Sequence, residues 1–192
     1  TSTFPINGKF SQKQKEIYEV NLEAFNQVRA NAKAGVHWQE LQNLAEKSIL
    51  EGLLRLGLVK GGSLEELWEK RVSYYFLPHG IGHYIGTYVH DLLGDPAKEN
   101  EKKHIPQQNI RVHRKLEKGM VLTNEPGVYF IERLLSVAKK DEKVAQFFDF
   151  EKIAEYSKEI SGVRIEEMII IHEDRAESII DLPRTVEQIE KC

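Results

Sequence analysis

Apolar residues recur every three or four positions over the first third of the chain, which is the spacing of one buried face of an α-helix. Ser11 and Gln14 form a candidate capping box, so the first helix is predicted to begin after Ser11 and to end at Gly35. A second helix is predicted to begin near Trp38 and to end around the glycines at 57, 61 and 62. The two apolar faces consist of Ile17, Val20, Ala24, Phe25, Val28 and Ala32, and of Leu41, Leu44, Ile49, Leu53 and Leu56.

Ser63 and Glu66 form another candidate capping box and predict a short helix through Trp68. After Tyr74 the chain becomes rich in glycine, aromatic and β-branched residues, which favour strands and tight turns. Strands are predicted within PHGIGHYIGTYVHD (78–91), GMVLTNEPGVYFI (119–131) and GVRIEEMIIIHE (162–173), with a helical stretch over 132–158 and a polar loop over 95–108. These elements predict one partial α+β domain, helical over 10–72 and sheet-rich over 74–192, in which helices cover the sheet.

The composition narrows the classes of partner. The chain has 192 residues, 30% of them charged, and a net charge of -3, so it lacks the positive field that nucleic-acid binding requires. No apolar run is long enough to cross a membrane, and the single cysteine, Cys192, suggests a reducing, cytoplasmic environment. The opening at Thr1, without a methionine, is typical of a piece of a longer protein.

Three histidines and an aspartate lie among glycines between residues 78 and 91. In a strand, His79 and His83 would share a face, whereas Pro78 and the glycines argue against a helix of the same spacing. Glycines also let a backbone approach a ligand closely. Two interpretations stay open: ordinary hydrogen-bonded histidines, or an active site.

Glutamates interrupt two of the predicted strands. Glu125 stands in an apolar strand, and Glu166 and Glu167 interrupt a β-branched run. A buried carboxylate needs a partner, so either arginines such as Arg164 or a cation must neutralise them. An imidazole with two carboxylates is a ligand set for a divalent metal such as Mn, Co, Fe or Zn.

Four segments in order resemble the C-terminal catalytic domain of prolidases, the Xaa-Pro dipeptidases of the pita-bread metallopeptidase family. They are PHGIGHYIGTYVHD, GMVLTNEPGVYFI, GVRIEEMIII and LPRTVEQIE, and the resemblance runs from about Phe4 to the end. It implies the C-terminal part of a pita-bread fold, a curved and mainly antiparallel sheet covered by helices, with the first half of the fold absent. It also implies a homodimer.

The resemblance further implies a centre of two divalent metal ions, most often Mn, with Co or Zn as alternatives. His83 would be its single histidine ligand, Glu125 would bind one metal and Glu166 would bridge both. A water or hydroxide between the metals would attack the scissile carbonyl, and Glu125 would also move a proton. His79 and His90 would face the substrate, with His90 stabilising the tetrahedral intermediate.

Two arginines receive roles by the same resemblance. Arg111 would pair with the free carboxylate of the dipeptide, although Arg114 and Lys115 lie close to it, and Arg164 would support the neighbouring carboxylates. The substrate would be a small peptide ending in proline. A related alternative is an Xaa-Pro exopeptidase of the aminopeptidase P type, which takes longer peptides.

The chain departs from the family pattern in one respect. The remaining metal ligands are two aspartates that would precede Thr1, and no aspartate occurs before Asp91. The isolated chain is therefore expected to be inactive unless a longer protein, or another polypeptide, supplies the missing half. A third hypothesis is a truncated relative that acts as a binding or assembly module without catalysis.

Overall fold

The computed structural model describes residues 1–91 and 110–192, which form helices packed against two small antiparallel sheets. The helices are α1 (Gln12–Asn31), α2 (Trp38–Arg55), α3 (Leu64–Glu69), α4 (Glu132–Lys140), α5 (Phe150–Ser157) and α6 (Val186–Ile189), with 3₁₀ turns at Val72–Tyr75 and Ala145–Phe147. The strands are β1 (Val121–Asn124), β2 (Gly127–Tyr129), β3 (Gly162–Arg164), β4 (Glu167–Ile171) and β5 (Ala176–Ser178). The loop predicted over 95–108 lies outside the described residues.

The first two helices form where the apolar periodicity predicts them. The predicted capping box is present: Ser11 Oγ accepts from the Gln14 amide at 3.3 Å, and Gln14 Oε1 accepts from the Ser11 amide at 3.0 Å. At the start of α3, Ser63 Oγ accepts the Glu66 amide at 3.2 Å. The predicted helical stretch over 132–158 is instead two helices, because Asp149 begins α5 as a new N-cap that accepts the Lys152 amide.

The two long predicted strands are each divided in two. The chain breaks at Glu125 and Pro126 between β1 and β2, and at Ile165 and Glu166 between β3 and β4. Proline lacks the N–H that a continuous ladder needs. β1 pairs with β4, and β2 pairs with β3, in one unchanged register, so Glu125 lies directly across the gap from Glu166. β5 adds a third strand beside β4.

The predicted strand in the histidine segment is wrong, because the segment forms only isolated bridges at His79 and at Tyr84, the latter with Leu122. The segment runs beside β1, where the carbonyls of Ile81 and His83 accept from the amides of Glu125 and Thr123 at 2.8 and 2.9 Å. A ladder does not form because side chains accept the N–H groups of the segment. Gln42 Oε1 takes the Ile81 amide and Thr123 Oγ1 takes the His83 amide.

One apolar core joins the helices to the sheets. Its largest fully buried side chains include Phe25 on α1, Trp38 and Ile49 on α2, and Phe76 and Leu77 before the histidine segment. Within residues 1–91 and 110–192, no helix has both the length and the apolar character needed to cross a lipid bilayer. The core therefore fixes the helical layer against the strands that carry the candidate chemistry.

Helices α1 and α2 touch at a glycine, which yields a test of the packing. A Cβ on Gly52 would lie 2.5 and 2.6 Å from the two methyl carbons of Val20. Alanine gains about 1 kcal/mol of helix propensity, but overpacking a core costs about 1–3 kcal/mol. We expect Gly52→Ala to lower the free energy of unfolding, measured by urea denaturation.

The matched control is the double variant Gly52→Ala/Val20→Ala, which removes the overlapping methyl groups. Its loss of unfolding free energy should be smaller than the sum of the two single losses, as a double-mutant cycle measures. A Gly52→Ala variant at least as stable as the wild type would contradict the close contact between α1 and α2.

Candidate metal centre

The ligand set predicted from sequence converges in the structure. His83, Glu125 and Glu166 each present one ligand atom, and these three atoms lie within 4.8 Å of one another. His83 comes from the histidine segment beside β1, and the two glutamates face each other across the gap in the strand pairing. His83 and Glu125 are buried, whereas Glu166 is partly exposed. Three distant stretches of sequence thus meet at one point.

Gly82 allows His83 to reach this position. A Cβ on Gly82 would collide with the backbone oxygen of Thr123 and lie 2.7 Å from Cζ2 of Trp38. Only glycine lets the segment pass this close to β1. Hydrogen bonds from the Thr123 amide to the His83 carbonyl and from the His83 amide to Thr123 Oγ1 then fix the backbone of the histidine.

The imidazole of His83 has a defined orientation. Its Nδ1 lies 2.8 Å from the carbonyl oxygen of Tyr84, which only accepts, so Nδ1 carries a proton and donates it. Its Nε2 lies 3.1 Å from Oε1 of Glu125. In the neutral imidazole Nε2 is an acceptor, and Oε1 of Glu125 is an acceptor too. Two acceptors at this distance attract each other only if a proton or a cation lies between them. A backbone carbonyl on the far nitrogen is also how metal-binding histidines are oriented.

Glu125 is held from two sides. Arg164 Nη1 lies 3.1 Å from Oε2, and Thr123 Oγ1 donates to Oε1 at 3.1 Å. The arginine offsets the charge of this buried carboxylate but leaves Oε1 directed at His83. The sequence left either an arginine or a cation as the partner of Glu125. Arg164 is one such partner, and it contacts Oε2.

Glu166 lies at the more open side of the cluster. Burial acts to raise its pKa, whereas the hydrogen bond from the Thr1 hydroxyl and the charge of Arg164 act to lower it. Its neighbour Glu167 faces the other way and is buried against Arg184 at 3.4 Å. The two consecutive glutamates thus serve opposite faces of the strand.

The donor set fits a divalent cation. Donors bound about 2.0–2.3 Å from one cation lie at most about 4.5 Å from one another, and these three atoms all lie within 4.8 Å of one another. One imidazole nitrogen with carboxylate oxygens suits Mn, Co or Zn. His83, Glu125 and Glu166 are therefore the residues that would hold a metal.

His79 is engaged by protein groups at both ring nitrogens. Nδ1 donates to the Gly80 carbonyl at 2.9 Å, while Nε2 accepts from the Tyr129 hydroxyl at 2.9 Å and from Arg164 Nη2 at 3.1 Å. Burial lowers the pKa of His79 to about 4, and the Arg164 charge acts in the same direction against the opposing Gly80 hydrogen bond. His79 is consequently a neutral histidine at physiological pH.

The other two residues predicted to contact substrate are exposed. The His90 ring stands edge-on to the His83 ring, with centroids 4.4 Å apart, so it borders the cluster. Arg111 is exposed, and among the described residues no hydrogen bond or ion pair joins it to the three candidate ligands. The structure thus brings His79, His90 and Arg164 to the cluster but does not connect Arg111 to it.

Tyr129 is a residue of the site that the sequence did not reveal. Its hydroxyl accepts from Arg164 Nε at 2.7 Å and contacts His79, so it joins the histidine segment to β3. Burial raises the pKa of Tyr129, with Arg164 opposing, so the phenol stays protonated. A single tyrosine in a predicted strand does not indicate that it links two parts of a site. The one sequence feature that points to Tyr129 is its position four residues after Glu125.

Comparison with known proteins places the chain among metallopeptidases. The sequence profile of metallopeptidase family M24 matches residues 1–173. The Xaa-Pro dipeptidase of Mus musculus is 41% identical over 192 residues, covering 100% of this chain and 38% of the relative. A probable Xaa-Pro aminopeptidase of Talaromyces marneffei is 40% identical over 190 residues, covering 99% of this chain and 40% of the relative.

Solved structures agree with the sequence relatives. Aminopeptidase PepP of Pseudomonas aeruginosa superimposes with a TM-score of 0.73 at 32% identity, and zinc-substituted Escherichia coli aminopeptidase P in complex with product superimposes with a TM-score of 0.71 at 30% identity. Each comparison covers 99% of this chain and 36% of the other. The chain thus spans about two fifths of the length of the proteins that it matches. From the family match and this superposition, the chain belongs to metallopeptidase family M24 and has the C-terminal part of its pita-bread fold.

Proposed function

We propose that the complete protein is a metal-dependent Xaa-Pro peptidase and that this chain supplies the ligands His83, Glu125 and Glu166. One observation carries the proposal: the acceptor Nε2 of His83 faces Oε1 of Glu125 at 3.1 Å, with Glu166 across the gap. A divalent cation makes that arrangement favourable. Support also comes from the relatives, of which one is named an Xaa-Pro dipeptidase and another a probable Xaa-Pro aminopeptidase.

The metal is proposed to be manganese, since two carboxylate oxygens favour a hard ion, while cobalt and zinc accept the same donors. Glu166 would help to hold a second metal ion as well, and that ion would need further carboxylates. We place them on a segment that precedes Thr1 in the complete protein. The Thr1 carbonyl accepts the Glu166 amide at 2.9 Å and Ser2 pairs with Ile165, so a preceding segment would arrive beside Glu166. The complete protein is further proposed to be a homodimer.

Besides the metal ligands, three side chains of this chain have proposed roles in the reaction. Bound divalent cations would supply Lewis-acid activation of the peptide carbonyl and of water. Arg164 holds Glu125 in place through Oε2, which leaves Oε1 to bind metal and to move a proton. His90, whose ring is exposed beside His83, faces the substrate and stabilises the developing oxyanion. His79 orients Arg164 and Tyr129, because both of its ring nitrogens are already engaged.

The preferred substrate is proposed to be a dipeptide ending in proline. Such a substrate carries a carboxylate on the residue after the scissile bond, and the exposed guanidinium of Arg111 would pair with it. The second candidate, an aminopeptidase P activity on longer peptides, is favoured by the superposition on the aminopeptidase structures. A non-catalytic binding module is the outcome if no metal binds.

Metal binding tests the ligand set. We expect the wild-type chain to bind one Mn²⁺ by isothermal titration calorimetry at pH 7, and Glu166→Gln to weaken that binding at least about tenfold, because an amide oxygen lacks the carboxylate charge. The control is Glu177→Gln, which makes the same charge change at an exposed position of β5. Equal affinities of Glu166→Gln and wild type would remove Glu166 from the ligand set.

Substrate preference is tested on the complete protein loaded with Mn²⁺. A Gly-Pro dipeptide should be cleaved with a higher kcat/KM than a Gly-Pro-Gly tripeptide. Arg111→Ala should raise KM for the dipeptide by about 10–100-fold, the loss expected for one charged hydrogen bond, while the surface variant Arg114→Ala should not. A preference for the tripeptide would favour aminopeptidase activity, and failure to cleave either peptide would refute the proposed function.

The neutral state of His79 predicts a pH dependence of stability. Its pKa is about 4 in the folded chain, whereas the ordinary value of 6.5 applies when the chain is unfolded, so the unfolded state binds more protons between these values. The stability that this pKa difference contributes is fully present above pH 6.5 and is lost as the pH falls towards 4. The free energy of unfolding falls by about 3 kcal/mol in total over that range. Urea unfolding of wild type and His79→Gln between pH 4 and 7.5 measures this difference. A constant difference across that range would mean that His79 is not buried in its neutral form.

A further inference from the structure

A second buried carboxylate lies outside the metal centre. Glu46 on α2 is fully buried and accepts hydrogen bonds from Gln42 Nε2 at 2.9 Å, from Trp68 Nε1 at 3.0 Å and from Ser73 Oγ at 3.3 Å. Arg71 Nη1 lies 3.6 Å from the same carboxylate. Several donors from three elements therefore hold Glu46 in one position.

Glu46 fixes the orientation of Gln42, which lies one helical turn earlier and is also fully buried. Because the carboxylate only accepts, Gln42 must direct its NH₂ group at Glu46 and its Oε1 away from it. That oxygen accepts the backbone N–H of Ile81 at 2.8 Å. The helix thus reaches the histidine segment through one oriented carboxamide.

The backbone of Ile81 leads directly to two of the candidate ligands. Its carbonyl accepts the backbone N–H of Glu125 at 2.8 Å, and Ile81 lies two residues before His83. A chain of three hydrogen bonds therefore runs from Glu46 through Gln42 and Ile81 to the backbone of Glu125. Each link is buried, so none can be replaced by water without a rearrangement.

We propose that Gln42, oriented by Glu46, is a positioning residue that sets the separation between His83 and Glu125. The proposal rests on the proposed function, in which those two side chains bind one cation. Residues that orient metal ligands through hydrogen bonds typically change metal affinity by about 10–100-fold when they are replaced. A residue with a merely structural role would lower stability and leave the affinity of the folded chain unchanged.

The test compares Gln42→Met, which keeps the side-chain length but loses both hydrogen bonds, with Leu53→Ala. Leu53 is fully buried on the same helix, three turns away from Gln42, and its truncation lowers stability without touching the hydrogen-bond chain. Mn²⁺ affinity is measured by calorimetry at a temperature where both variants are folded. We expect Gln42→Met to bind at least about tenfold more weakly than wild type, and Leu53→Ala to bind like wild type.

Two outcomes would overturn the proposal: a Gln42→Met affinity within about twofold of wild type, or an equal loss in Leu53→Ala. If Gln42→Met does not fold, Trp68→Phe removes only one donor to Glu46. It should then speed amide hydrogen exchange at Ile81 and Glu125 relative to Ile169, and unchanged exchange would refute the proposal. If the wild-type chain binds no Mn²⁺, the proposed function fails, and the same exchange measurement decides separately whether Gln42 and Glu46 position Glu125.

Discussion

The antiparallel pairing on either side of Glu125 and Glu166 is the constraint on which the site depends. β1 with β4, and β2 with β3, keep one register, so the two carboxylates must face each other across the gap. Directly opposed like charges destabilise a strand pair. Arg164 lies against Glu125 and its charge also acts on Glu166, and the cation of the proposed function would offset the negative charge that remains. The strand pairing therefore brings two negative charges together, and the neighbouring side chains neutralise them only in part.

The gap in the pairing has a chemical cause, and so does the direction of each glutamate. Pro126 has no N–H to donate, so the ladder opens where the carboxylates stand. Glu167, the next residue after Glu166, turns to the opposite face and is buried near Arg184 and Arg29, at 3.4 and 3.8 Å. Since each buried carboxylate has a cationic partner, consecutive glutamates are tolerated in one strand.

Local patterns predicted the helices well, because capping and apolar periodicity involve residues only a few positions apart. The starts of α1 and α2 and the Ser11 capping box are confirmed on that basis, whereas α1 ends at Asn31, earlier than the predicted Gly35. The irregular course of the histidine segment depends on contacts about 40 residues apart, such as Gln42 with Ile81, which no local pattern reports. The ligand set came from motif resemblance, whereas Tyr129 and Gln42 carry no motif and were missed.

The helical layer also controls the site. Helix α2 places Trp38 against Gly82 and Gln42 against the Ile81 amide, so one rigid element supports the histidine segment at two adjacent positions. Metal sites depend on ligand distances to within about 0.2 Å. The histidine segment forms no continuous hydrogen-bond ladder with β1. Its own backbone hydrogen bonds are therefore too few to fix the ligand positions to that accuracy. The precision of the proposed centre therefore comes from a well-packed helix whose sequence pattern indicates only a core face.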